Sequence, residues 1–286
     1  MGERFSSRVQ RLPRLGVGIS TEFGAARAGL DIVALRRARP ELVAFLEVGA
    51  DLDRGIDCDT AAWVAAGWPT TYHFLDVNLE EPEDVDDAWV HGVAALARSI
   101  GAAWLCGDGG LWHIGPRERG HGTLLPPILC AESADAMAES VCSLRERSGF
   151  EVFPENPPSH VFVGDLHLLD YFARVADRGD TGVVLDAAHL AIYQHVAGLP
   201  PTTGLDGFPL DRVVEMHVAG ATAFTHAGRT FLDDDHSPSP LAQTWEIVEA
   251  VVERAPNLRA IVYECERNPV DSVLAGFERL AALPLP

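Results

Sequence analysis

Short apolar runs alternate with longer stretches of helical periodicity along most of the chain. Leu15-Gly-Val-Gly-Ile-Ser20 reads as a first strand, and 25–39 as a helix ending in arginines, which suit a helix C-terminus. The same reading gives strands at 42–48, 70–76, 103–107, 150–156, 182–186, 212–217 and 259–264. Helices are predicted at 60–66, 88–100, 132–147, 165–176, from 187 onward, at 241–254 and at 270–281. Pro157-Pro158 stops the fifth strand, and two polar segments, 108–130 and 221–239, read as loops. Strands that alternate with helices in this way predict a parallel sheet. Eight such units over 14–286 fit a single α/β domain, a (β/α)8 TIM barrel, whose usual length is about 250 residues. An open doubly wound sheet is the alternative, but no GxGxxG follows the first strand. Residues 1–13 read as a polar N-terminal arm.

Composition narrows the partners. The chain has 286 residues, 42 of them acidic and 22 basic, for a formal charge of -20. Such a charge repels phosphate backbones, so nucleic acid is not an expected partner. No stretch approaches the ~20 apolar residues of a membrane span, and the N-terminus lacks a signal-peptide core. The five cysteines form no CxxC pair and suggest neither a disulfide framework nor a zinc knuckle. A reducing cytoplasm is the expected location. The acidic run at 80–87 suits a helix N-terminus and is assigned no chemistry.

Candidate chemistry lies where strands end. Glu47, Asp108, Glu155 with Asn156, Asp186, His217 and Glu264 all fall at or near the carboxyl ends of predicted strands, with His73 slightly further inside. In a barrel that is the functional face. Glu155, Asp186, His217 and Glu264 converge on the axis in this arrangement and would repel one another without a cation. Oxygen ligands with imidazole suit iron, manganese or zinc. Asp186 has a second reading as the cap of the helix that follows it. Asn156, His189, Asp234, His236 and Glu266 lie in sequence close to the four and could enlarge the set, and His73 and His113 could complete it. His91, His121, His160, His167, His195 and His226 read as surface or loop residues.

These pieces together resemble a family, the multinuclear non-haem iron-dependent oxidative enzymes of methanobactin and thiaglutamate biosynthesis, within the xylose-isomerase-like barrels. The resemblance rests on Phe45-Leu-Glu47, His73, Pro154-Glu-Asn-Pro157, Leu185-Asp186 through His189-Leu190, Glu215-Met-His-Val-Ala-Gly220, Asp234-Asp-His236 and Glu264-Cys-Glu266. It implies two or three adjacent irons, dioxygen as co-substrate, and oxidation of a side chain, usually cysteine, in a ribosomally made precursor peptide. A small peptide-binding partner protein often accompanies such enzymes. The implied metal ligands are His73, Glu155, Asn156, Asp186, His189, His217, Asp234, His236 and Glu264, with Glu155, Asp186 and Glu264 as the catalytic set. Two positions depart from the family. Gly109 stands where a histidine is usual after the fourth strand, and His189 stands where an asparagine is usual. Both touch the outer irons, and His113 is the candidate substitute ligand.

Two other readings stay open. A sugar isomerase or epimerase of the xylose-isomerase-like type needs one divalent metal and an acid/base pair such as Glu155 and Glu264. A catalytically silent barrel would only bind a peptide.

Overall fold

The computed structural model describes residues 3–22, 29–115 and 124–285. Its strands are β1 (Gly16–Glu22), β2 (Phe45–Ala50), β3 (Thr70–Phe74), β4 (Ala102–Asp108), β5 (Ile128–Leu129), β6 (Val152–Glu155), β7 (Val163–Gly164), β8 (Val183–Asp186), β9 (Val213–His226), β10 (Arg229–Ser237) and β11 (Ala260–Glu264). β1, β2, β3, β4, β6, β8, β9 and β11 pair in that order, each parallel to the next, and β11 returns to β1. The ring is closed, and the chain is a single (β/α)8 barrel. Helices cover its outside, and the larger apolar core lies between helices and strands.

A second, smaller core fills the barrel interior with Phe45, Trp104, Phe153, Val184, Val214 and Val262. Its floor comes from the N-terminal segment. Helix α1 (Phe5–Arg8) sets Phe5 at 1% exposure, and Val9 just after it at 0%, into this interior core. Asp180 accepts from the Phe5 amide at 2.9 Å, and Arg8 Nε lies 2.7 Å from Glu151 Oε1. Residues 5–9 thus close the amino ends of the strands, and burying a side chain such as Phe5 contributes about 1.5–3 kcal/mol.

Several element boundaries shift from those the sequence suggests. The segment 221–239 is not a loop. β9 continues to His226, turns through Ala227 and Gly228, and returns as β10 antiparallel to itself. Both turn residues have positive φ, 49° and 76°, as a two-residue hairpin turn requires. The acidic run Asp233-Asp-Asp hides this strand, because its polar residues project from an exposed ribbon instead of alternating over a core. The first predicted helix is observed as Ile32–Ala38, with Asp31 accepting from the Ala34 amide at 2.8 Å, and residues 25–28 of that prediction lie outside the described residues. β5 and β7 form a small parallel pair at the barrel mouth that periodicity does not reveal.

Strand register places the polar residues. Asp108 is in register with Glu155, Asp186 with His217, and Ser20 with Glu47. Side chains alternate along a strand, so His73, Asp108, Glu155 and His217 all point inward at the carboxyl end.

Candidate metal centre

Glu155 is the middle of the cluster. Its Oε2 lies 2.9 Å from His73 Nε2, and its Oε1 lies 3.1 Å from His217 Nδ1 and 3.4 Å from His189 Nδ1. Asp108 Oδ2 lies 3.8 Å from His73 Nε2. On the other side, Glu264 reaches in two directions. Its Oε1 is 3.5 Å from His217 Nδ1 and its Oε2 is 3.8 Å from His236 Nε2. Asp234 Oδ2 stands between His189 Nε2 at 2.9 Å and His236 Nε2 at 3.6 Å. The arrangement therefore has an inner position beside His217, an outer position between His189, Asp234 and His236, and a third beside His73 and Asp108. Glu264 spans the inner and outer positions, and Glu155 spans the inner and third.

The donor set fits cations. His73, Glu155 and His217, then Asp108, Glu155 and His189, then Asp186, His189 and Glu264 each bring three ligand atoms within 4.8 Å of one another. All these residues are buried. Asp108 Oδ1, Asp186 Oδ2, Asp234 Oδ1, Glu264 Oε2 and both ring nitrogens of His217 lack a hydrogen-bond partner. A buried polar atom without a partner costs about 1–3 kcal/mol, and more when charged, so this convergence needs a counter-ion.

Protonation behaviour agrees with crowded charge. Burial raises the Asp108 carboxyl to about 7, with the neighbouring Glu155 charge adding to it. Burial likewise raises Glu264 to about 8 and Asp186 to about 6. Burial alone would lower His73, but its hydrogen bond to Glu155 and the surrounding carboxylates lift it to about 9. His189, His217 and His236 rise well above the usual imidazole range, because the carboxylates facing them outweigh desolvation. Glu155 moves the other way: desolvation is overcome by His217 and His73, which hold it ionised.

Asp186 serves as both cap and cluster member. One oxygen accepts from the His189 amide at the start of helix α7 (Ala187–Ala197), and the other faces the cluster unpartnered. Asn156, expected among the ligands, is used differently. Its Nδ2 donates to Asp186 O at 3.0 Å and its Oδ1 accepts from Asp186 N at 2.9 Å. The amide is committed to the backbone of its neighbour and positions Asp186.

His113 also stands elsewhere. Its Nε2 lies 2.9 Å from Asp84 Oδ2 and its Nδ1 2.9 Å from Gly115 O, while Asn78 Nδ2 donates to its carbonyl. Both ring nitrogens are engaged away from the cluster, so it does not replace the absent histidine. Gly109 itself is not aimed at the cluster. A Cβ at Gly109 would meet Met137 Cε at 2.7 Å and Phe172 Cζ at 3.1 Å, which belong to the outer helices. Position 109 points away from the barrel axis. Among the other histidines, His160, His167 and His195 bond elsewhere, His91 and His226 are exposed, and His121 lies outside the described residues.

Two residues with no assigned ligand role enter the geometry. Glu47 Oε2 lies 3.1 Å from His217 Nε2, on the opposite side of the ring from Glu155, and Cys106 Sγ donates to it at 3.2 Å. Glu215 lies beneath them, fully buried, with Trp104 Nε1 donating at 2.6 Å. Its place two residues before His217 on β9 was the available clue, since residues i and i+2 of a strand share a face. The cluster opens into a cavity of about 280 Å³ lined also by the apolar Leu75, Trp112, Leu124 and Pro158 and by the charged Asp51 and Arg54.

The family model for the RiPP precursor modification enzymes MbnB/TglH/ChrH matches residues 23–283. The chain belongs to the MbnB/TglH/ChrH family. Among curated relatives of this family member, a UPF0276 protein of Rhizorhabdus wittichii is 24% identical over 217 residues, covering 74% of this chain and 76% of its own. A UPF0276 protein of Caulobacter vibrioides is 24% identical over 214 residues, covering 74% of each. Among solved structures, a xylose isomerase-like TIM barrel protein from Mycobacterium smegmatis in complex with magnesium superposes with a TM-score of 0.56 at 13% identity, over 96% of this chain and 99% of that one. Endonuclease IV from Thermus thermophilus gives 0.54 at 16% identity, over 93% and 98%. At these identities the solved structures establish the fold. The MbnB/TglH/ChrH family is one of RiPP precursor modification enzymes. No helix among the described residues is long and apolar enough to cross a membrane.

Proposed function

We propose that the chain is an iron-dependent oxidase that uses dioxygen to modify a side chain, cysteine in the first instance, of a ribosomally made precursor peptide. The observation that carries this reading is the number of imidazoles around one carboxylate core. A single-metal isomerase needs only the inner set, Glu155, Asp186, His217 and Glu264. Here His189, Asp234 and His236 form a second position beside it, bridged by Glu264. The ligand atoms are oxygen and imidazole nitrogen, a set that suits iron. We assign the metal to His73, Glu155, Asp186, His189, His217, Asp234, His236 and Glu264, with Asp108 beside the third position. We place Asn156 outside the ligands.

Bound iron would supply the redox chemistry, reduction of dioxygen coupled to oxidation of the peptide side chain. The protein's own residues hold and orient. Glu155 lies between His73, His189 and His217, and Glu264 between His217 and His236, so these two carboxylates would hold the cations. Asp186 is held rigid by Asn156 and by its cap on α7, and its free oxygen points inward. The apolar lining of Leu75, Trp112, Leu124 and Pro158 suits a thiol or other uncharged side chain, with Asp51 and Arg54 in the same lining available to the rest of the peptide. A small partner protein that presents the peptide belongs to the same reading, as does a cytoplasmic location.

The test loads the protein anaerobically with ferrous iron. Two or more irons per chain are expected, with dioxygen uptake and a change in peptide mass when precursor is added. His217→Ala or Glu264→Ala should remove metal from the folded barrel. One metal per chain together with turnover of a sugar would replace this reading by the isomerase. Full metal binding without dioxygen uptake or peptide change would leave the silent barrel.

A further inference from the structure

Glu266 is buried at 3% exposure and lies just beyond the end of β11, two residues after Glu264. Its Oε1 is 2.8 Å from His236 Nδ1, and its Oε2 accepts from Ser20 Oγ of β1 at 3.1 Å. We propose that Glu266 is the positioning residue of the outer metal position: it holds the His236 ring with Nδ1 protonated and Nε2 turned into the cluster. This rests on the metal reading above.

Three observations converge. The first is the division of one ring between two carboxylates of the same chain segment. Glu266 takes Nδ1, and Glu264 Oε2 and Asp234 Oδ2 face Nε2 at 3.8 Å and 3.6 Å. A ring whose Nδ1–H is donated turns Nε2 towards two carboxylates, an arrangement that favours positive charge there, a metal ion when one is bound and a proton otherwise. The second is that both Glu266 oxygens already have partners, so Glu266 holds a ligand instead of being one. The third is backbone strain. His236 has φ of +51°, a left-handed conformation costly for a residue with a side chain. It sits at the register shift between Asp234 and Ser237, where β10 bends. Asn268 Nδ2 donates to His236 O at 2.6 Å and keeps that bend against the end of β11. The hairpin is thus tied at one residue to β1 through Ser20 and to β11 through Glu266 and Asn268. The carboxylate also makes the imidazole a stronger donor to a metal, and such partners are typically worth roughly 10–100-fold in metal affinity.

The experiment titrates apo protein with cobalt(II) without oxygen, in wild type, Glu266→Ala, Glu266→Gln and Ser20→Ala. Long-range 1H–15N spectra of the zinc(II)-loaded proteins report which His236 nitrogen holds the proton. Wild type should bind at least two cations and show Nδ1–H on His236. Glu266→Ala should weaken one cation by roughly 10–100-fold, leave the other unchanged, and lose the fixed Nδ1–H. Glu266→Gln should recover most of the affinity, because an amide oxygen still accepts from Nδ1. Ser20→Ala, which leaves the carboxylate in place, should weaken the same cation by a smaller factor, and it decides the matter if Glu266→Ala does not fold. Unchanged affinities in Ser20→Ala and Glu266→Ala, or a His236 proton on Nε2, would overturn the assignment. A wild type that binds one cation or none would instead defeat the metal reading, whatever residue 266 does.

Discussion

Three histidines of the cluster share a design that residue identity alone does not reveal. His217 sets Nε2 against Glu47, His189 donates from Nδ1 to Asn156 O at 2.8 Å, and His236 donates from Nδ1 to Glu266. Each keeps its other nitrogen for the cluster's carboxylates, and neutral imidazole then binds a cation with one defined atom. Sequence reading found these histidines because acids and imidazoles at strand ends are uncommon in apolar company. It could not separate Asn156 or His113 from the ligands, since hydrogen bonds to a backbone or to Asp84 leave no trace in spacing. His113 gives a direct check at this scale. His113→Ala is expected to leave the anaerobic iron count unchanged and to lower stability by about 1–3 kcal/mol, the cost of losing the ring's hydrogen bonds to the Asp84 carboxylate and the Gly115 carbonyl. Metal analysis beside a urea unfolding curve measures both, and loss of one iron would restore His113 as a ligand.

Among the elements, the β9–β10 hairpin matters most for the site. It brings Asp234 and His236 over the barrel mouth, and a two-stranded ribbon has little stability unless it is packed. Here it leans on α7 and is pinned at its base. Gly220 on β9 faces Ser237 so closely that a Cβ there would collide with the Ser237 carbonyl oxygen. Gly220→Ala should therefore push β10 outward where Asp234 and His236 are displayed. Overpacking of this kind costs about 1–3 kcal/mol, equivalent to roughly a 10–100-fold weaker outer cation. Cobalt titration reads it, and the inner cation should bind as in wild type. Both sites weakening equally would show that the hairpin supports the whole cluster.

For the whole molecule, most of the acidic residues lie outside the core, but several are buried inside the barrel mouth, where charge is most costly. In the metal-free protein, Asp186, Asp108 and Glu264 keep protons up to about 6, 7 and 8, with burial as the first cause in each. An unfolded carboxyl releases its proton near pH 4. The stability these groups contribute is therefore complete below about pH 4 and is lost as pH rises from there through about 6, 7 and 8. His73 is raised to about 9 despite the lowering effect of burial, and acts in the same direction. Glu155 is lowered, so its contribution is already complete above the unfolded carboxyl range and stays constant in this window. The metal-free protein should lose thermal stability between pH 6 and pH 9, while the metal-loaded protein changes less. Metal affinity should rise over the same interval as protons are displaced. Calorimetry at several pH values measures the first, and an unfolding temperature that climbs with pH in the metal-free protein would contradict it.

The sequence by itself determined the architecture and pointed to most of the polar residues that meet at the barrel mouth. Eight apolar runs separated by helical periodicity admit few topologies once connections are short and right-handed, and strands ending in Glu155, Asp186 and Glu264 announce a polar face at one end. Periodicity is local, and it is retained in any single chain. The tertiary structure decided everything that depends on direction across the barrel. Only the barrel brings Glu47 of β2 to His217 of β9, residues far apart in the chain. Only the backbone at Gly109 shows that its side-chain direction is outward, towards Met137 and Phe172. Only the pairing of β10 with β9 turns an acidic loop into a strand that delivers Asp234 and His236. A hydrogen bond or a ligand position is fixed by ångström distances between atoms on different elements, and those distances exist only after the elements have packed.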